Sequence, residues 1–306
     1  MVFSMGVVIE WNFGRKAKRK STTIYLTATN AKEKLMLRTL IVCGFLTTFS
    51  LILSIATVTT LSAAEDVKTQ TITYQDGAVT LKGYLATPGT LVGQAPGVLV
   101  AHDWYGCGKY AQQRARELAQ RGYVAFAMDM YGDGKVVSKG DEASALAGAF
   151  YKDLPLMVRR AQAGLTVLRS QSTVDKKNVA AIGFCFGGTV VLNLARSHEA
   201  LNGVVSFHGG LKLAVPAEPG TITAKILVLH GGSDPFVPAA EVAGFMDEMV
   251  KVKSAWQLEI YGAAVHSFSN PGAGDNVASG SAYNQDAEKR SIAAMERFFG
   301  EIFAAK

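Results

Sequence analysis

Val179-Ala180-Ala181-Ile182-Gly183-Phe184-Cys185-Phe186-Gly187-Gly188-Thr189-Val190-Val191 is the stretch that decides the fold. It opens on a short apolar run, as a strand buried on both faces requires, and passes through a glycine-framed cysteine into a helical pattern. A strand entering a helix this abruptly must turn so tightly that the flanking positions lack side chains, and the central side chain then projects above the sheet edge. Here that side chain is a thiol at a helix N-terminus, where backbone amides and the helix dipole favour an anion. The thiolate is the reactive form of cysteine, so the setting suits a nucleophile. Taken alone, the stretch reads equally well as a buried cysteine in a glycine-containing turn.

Outward from this elbow the periodicities alternate. Residues 69–74 and 79–86 read as an antiparallel pair around Gln75-Asp76-Gly77, and 97–101 as a fully buried strand. Helical spacing over 111–121 is followed by a strand at 123–128, and 154–170 is helical again. Beyond the elbow come a helix over 188–196, strands at 201–207, 225–230 and 256–261, a helix over 239–252 and a closing helix over 282–303. Repeated strand–helix units predict an α/β fold of one domain, residues 65–306, with a mostly parallel central sheet flanked by helices on both faces. Ligand sites in such sheets lie at the carboxyl ends of the strands.

Two further residues sit at such ends, in the order acid then histidine that a hydrolase elbow demands. Asp234 follows the 225–230 strand in Gly231-Gly232-Ser233-Asp234-Pro235-Phe236-Val237-Pro238, and His266 follows the 256–261 strand in Gly262-Ala263-Ala264-Val265-His266-Ser267-Phe268. A carboxylate can fix the imidazole tautomer while the other ring nitrogen takes the thiol proton. Individually, Asp234 reads as a turn residue satisfying its own backbone and His266 as a loop histidine. Jointly, in order and each at a strand end, Cys185, Asp234 and His266 point to nucleophilic catalysis.

At these residues the sequence resembles the dienelactone hydrolase family of α/β-hydrolases, over about residues 79–303. The resemblance is carried by His102-Asp103-Trp104-Tyr105-Gly106, Asp129-Met130-Tyr131-Gly132-Asp133-Gly134, the Cys185 elbow, Asp234-Pro235-Phe236-Val237-Pro238 and His266-Ser267-Phe268. It implies a Cys185–Asp234–His266 triad, an oxyanion hole from the Phe186 and Trp104 amides, and cleavage of a small ester or lactone through a thioacyl-enzyme. It also places Asp103 where the family has a glutamate contacting the thiol. One methylene shorter, Asp103 reads either as that contact or as a loop cap. Asn270 stands where an arginine would bind a substrate carboxylate, so the chemistry carries over but the dienelactone substrate does not. The alternatives are a hydrolase fold kept for ligand or partner binding, and an acyl transferase.

His102, His208 and His230 read as packing and hydrogen-bonding residues, and Arg159 and Arg160 as solvated helix positions. Cys107 reads either as an inert buried thiol or as a disulfide partner of Cys185. No metal-ligand spacing or phosphate loop is present in the sequence, so neither metal nor nucleotide cofactor is expected.

The formal charge of +6 belongs to one end of the chain. Residues 1–64 hold eight basic and two acidic side chains, and residues 65–306 hold 23 of each. A neutral body lacks the clustered Lys and Arg of a nucleic-acid binder. In the leader, Lys32, Lys34 and Arg38 precede an uncharged window, 39–64, with apolar cores at 40–46 and 51–58 and a small-residue end, Ser62-Ala63-Ala64. That order is a secretory signal, with Met36 a candidate start, or an uncleaved membrane anchor. Either sends residues 65–306 out of the cytoplasm, with membrane contact only through the leader. The sequence carries no reading of oligomeric state.

Overall fold

A computed structural model describes residues 3–10, 21–28, 67–212 and 217–303. The chain divides into two units, Met1–Ala63 and Ala64–Lys306. In the first, β1 (Phe3–Glu10) pairs antiparallel with β2 (Ser21–Ala28), Phe3 opposite Ala28 and Glu10 opposite Ser21. The sequence reading assigned no strands there. The window 39–64, read as a signal or anchor, lies outside the described residues, as does Cys43.

The second unit is an eight-stranded sheet ordered β10-β9-β8-β7-β5-β6-β4-β3. Its elements in chain order are β3 (Val67–Asp76), β4 (Val79–Pro88), β5 (Ala95–Ala101), α1 (Lys109–Gln120), β6 (Val124–Met128), α2 (Gly140–Lys152), α3 (Leu154–Ser170) and β7 (Val174–Phe184). There follow α4 (Phe186–Arg196), β8 (Gly203–Phe207), β9 (Lys225–Gly231), α5 (Ala239–Lys251), β10 (Trp256–Tyr261) and α6 (Gln285–Ile302). The β3–β4 hairpin joins through an antiparallel β4–β6 pairing, and the ladders from β6 through β10 are all parallel. The expected α/β fold is therefore the one observed, with helix α2 added.

Two-faced burial follows from the two-residue period of a strand. Leu99 and Ala101 of β5, with Phe126 and Met128 of β6, enter a core shared with α3, α4 and α5. Val98 and Val100, with Ala125 and Ala127, enter the opposite core, shared with α1 and α6. This is why the central strands read as continuous apolar runs: neither face meets water.

Asp76 and Arg160 correct the sequence reading. Arg160 is buried and donates to Asp76 Oδ2 and to the Met130 carbonyl, each at 2.8 Å, while the exposed Arg159 takes Asp76 Oδ1 at 2.9 Å. A buried carboxylate beside the β3–β4 turn needs a paired cation, so Arg160 ties α3 to the sheet edge instead of facing solvent.

Candidate active site

Between the end of β7 and the start of α4 stands one residue, Cys185. Its backbone lies at φ 54°, ψ −117°, a conformation that side-chain-bearing residues rarely adopt. Such strain, on the order of 1–3 kcal/mol, persists only where the surroundings over-determine it. They do so here. A Cβ on Gly183 would lie 1.9 Å from the Gly187 carbonyl oxygen, and one on Gly187 would lie 2.2 Å from that of Ala101. The Cys185 amide donates to the Phe207 carbonyl at 3.0 Å and to His208 Nδ1 at 3.1 Å, leaving the half-buried thiol above the sheet edge.

The structure brings His266 and Asp234 to that thiol. The loop after β10 is held where the His266 amide donates to the Gly280 carbonyl and the His266 carbonyl accepts from Ala282. His266 Nε2 lies 3.0 Å from Cys185 Sγ, and Nδ1 lies 2.8 Å from Asp234 Oδ2. Asp234 sits in the turn after β9, its second oxygen accepting the Phe236 amide at 2.8 Å. The carboxylate thus holds a proton on Nδ1, and Nε2 is left to exchange one with sulfur. Burial works against charge on His266, but the Cys185 sulfur and the Asp234 carboxylate outweigh it and push the imidazole up to about 10. Such a line can carry one proton between the sulfur, the imidazole and a bound group.

Two backbone amides of the adjoining segments are without an acceptor among the described residues. Trp104, in the loop after β5, donates its N–H to no group among the described residues. Phe186 is the first residue of α4, where an amide has no acceptor four residues back. The ring of Phe186 packs against Tyr131, Phe150 and Tyr151, with centroids 5.7–5.9 Å apart.

Asp103 is engaged with its own loop. Its Oδ1 accepts the Tyr105 amide at 2.9 Å, and no hydrogen bond joins it to Sγ. Burial pushes its carboxyl up to about 6, against the downward pull of that amide and of the charge on His266. Asn270 is likewise engaged with its own turn, accepting the Gly272 amide at 2.8 Å. Cys107 donates its thiol to the Ala127 carbonyl at 3.3 Å within the α1–α6 core, and burial pushes it up to about 12. Cys185 packs against the other core, and both thiols are free.

His102 and His208 do hydrogen-bond, as the sequence reading expects. His102 Nδ1 meets the Asp103 carbonyl, and its Nε2 accepts the Met130 amide at 3.2 Å, joining the ends of β5 and β6. His230 is buried at the end of β9. What the sequence did not reveal is the partner of His208, which is the Cys185 amide itself, nor the parts of Ser269, Tyr110 and Tyr151. A signal the sequence reading did not use is the place of Ser269, three residues beyond His266.

Comparison with known proteins gives the family. A model of the dienelactone hydrolase family matches residues 81–303. The solved structure of a dienelactone hydrolase-like promiscuous phosphotriesterase, P91, from metagenomic libraries is 40% identical with a TM-score of 0.73, covering 78% of this chain and 99% of that one. A solved protein named m3DLH is 37% identical with a TM-score of 0.75 over the same shares. The Caenorhabditis elegans protein K02A2.1 is 37% identical over 150 residues, which are 47% of this chain and 93% of the relative. With the family model spanning almost all of the second unit, this chain belongs to the dienelactone hydrolase family and is a hydrolase of the ester/lactone type.

Proposed function

We propose that the protein cleaves a small, uncharged ester or lactone through a thioacyl-enzyme on Cys185. The observation that carries this reading is the continuous line from Sγ through His266 to Asp234, with separations of 3.0 and 2.8 Å. The thiolate attacks the carbonyl carbon, a C–S bond forms, and the carbonyl oxygen takes the negative charge between the Phe186 and Trp104 amides. Collapse expels the alkoxide, which takes the proton from the His266 imidazolium. Water then attacks the thioester while His266 accepts its proton, and the thiolate departs as the acid is released. Asp234 keeps the ring oriented throughout and offsets its charge. Asp103 acts as a loop cap that sets the Trp104 amide.

Mixing the protein with a chromogenic acetate ester tests this reading. A burst of about one equivalent per chain, lost in Cys185→Ala, is expected; a protein that only binds ligand gives no burst and no dependence on Cys185. Acylation without release of free acid, until an alcohol or amine acceptor is added, would identify an acyl transferase instead. The name of P91 records phosphotriesterase activity, so a neutral phosphotriester belongs in the same panel.

Residues 39–64 are further proposed to direct residues 65–306 out of the cytoplasm, by the order of basic flank, apolar core and small-residue end. N-terminal sequencing of exported protein should find a start just after Ala64 if the leader is cleaved. Purely cytosolic protein with an intact leader overturns the proposal.

A further inference from the structure

Behind the sulfur runs a chain of polar groups that the proposed chemistry does not use. The Cys185 amide divides its hydrogen between the Phe207 carbonyl and His208 Nδ1. Because Nδ1 accepts, the proton of a neutral His208 is on Nε2, and Nε2 faces Ser269 Oγ at 2.8 Å. Ser269 Oγ lies 2.9 Å from the Tyr110 hydroxyl, and the Ser269 carbonyl accepts from Arg114 Nη2 at 2.7 Å. His208, Ser269 and Arg114 are buried and Tyr110 partly so, and Ser269 lies on the same loop as His266, three residues along. His208 itself sits at φ 40°, a second strained residue beside the first.

We infer that His208 is a positioning residue: its neutral imidazole clamps the backbone of the nucleophile to the loop that carries the catalytic histidine. Two parts of the site that come from distant stretches of chain are thereby held in register. The clamp supplies a second acceptor for an amide in a strained conformation, and it fixes the Ser269 end of the loop on which His266 Nε2 meets Sγ. The groups facing the His208 ring are His266, whose ring lies 5.2 Å away, Ser269 with Tyr110 and Arg114 behind it, and the rings of Phe184 and Phe268. A proton on Nδ1 would point at the Cys185 N–H, so the clamp works only in the neutral form. Burial first, and then the charge of His266, hold this imidazole well below the ordinary histidine range.

Thiol alkylation by iodoacetamide, followed against pH, reads the clamp without relying on turnover. Its outcome therefore stays separate from that of the proposed hydrolysis, which the ester burst decides. In His208→Leu the alkylation of Cys185 at pH 7 is expected to slow at least tenfold, with the rate–pH midpoint moved upward. With an ester substrate, kcat should fall while KM stays within twofold. His208→Asn retains an acceptor near the Nδ1 position and a residue type that tolerates positive φ, so its midpoint should return toward wild type. Ser269→Ala should move the midpoint in the same direction by a smaller amount. A folded His208→Leu with an unchanged midpoint, or a His208→Asn as impaired as the leucine variant, overturns the inference. If His208→Leu does not melt cooperatively, His208→Asn and Ser269→Ala decide. In that case the inference stands on a shifted midpoint in Ser269→Ala and falls if both variants titrate as wild type does.

Discussion

Asp103 and His266 hold their protons more tightly than usual for opposite physical reasons. Asp103 does so because burial penalises its charge, and His266 because its partners reward charge. The first makes a stability prediction with a definite sign. A carboxyl raised to about 6 in the fold, from 3.8, contributes stability that is present below about pH 4 and lost as pH rises through 6. Asp103→Asn keeps an acceptor for the Tyr105 amide and has no charge to bury. It should be more stable than wild type at pH 8 by on the order of 2 kcal/mol, the difference vanishing below pH 4. Denaturant melts at the two pH values measure this, and an equal effect at both would refute the burial argument. For His266 the readout is direct. Removing the sulfur in Cys185→Ala should lower the NMR titration midpoint of the ring from about 10 toward 6.5, and a midpoint that stays high would assign the whole shift to Asp234.

At the scale of elements, the parallel core was legible in the sequence because each central strand is buried on both faces and reads as an unbroken apolar run. Helix α2 was not. It buries only Ala143, Ala147 and Phe150, two of them alanines, which leaves a faint periodicity. Missing it also hid Tyr151, which α2 carries toward the site. Helix α4 was legible from its glycines, but what anchors its far end was not. Arg196, in the last turn, donates twice to Glu248 of α5, at 2.7 and 2.6 Å, with both side chains almost fully buried. Spacing cannot reveal a pair 52 residues apart. Glu248→Ala leaves a buried guanidinium unpaired and should cost about 3–5 kcal/mol. Because the pair lies some 16 Å along α4 from Cys185, by the helical rise of about 1.5 Å per residue, the alkylation midpoint should not move. Loss of stability together with a shifted midpoint would mean that strain at the elbow is carried the length of the helix.

Across the whole molecule, three separated segments bring aromatic rings to the residues around the sulfur; Trp104 and Phe236 lie in motifs the sequence shows, whereas Tyr151 lies on a helix it does not. Tyr151 arrives on α2, with its ring 5.7 Å from that of Phe186 and its side 48% exposed. Phe236 arrives on the turn after Asp234, 59% exposed, with its ring perpendicular to His266 at 5.5 Å. Trp104 arrives after β5, its carbonyl held by the Tyr131 hydroxyl at 2.8 Å. The arginines that could have met an anionic substrate are committed elsewhere. Arg160 is bound to Asp76 and Arg114 to Glu117 and Glu288, and Asn270 is spent on its own turn. The carboxylate near the imidazole, Asp103, would repel a second one once ionised. An aromatic rim with Arg160 and Arg114 both paired predicts a preference for neutral substrates with a flat or aliphatic group, since a substrate carboxylate desolvated there would find no guanidinium partner among these residues. Phenyl acetate should therefore exceed its para-carboxylate analogue in kcat/KM by at least tenfold at pH 8. If the rim selects the substrate, Phe236→Ala and Tyr151→Ala should raise KM for the phenyl ester severalfold with kcat nearly unchanged, since the Sγ–His266–Asp234 line is left intact. Equal kcat/KM for the neutral and the charged ester would show that some cation reaches the site during turnover, and the aromatic rim would then not be what selects the substrate.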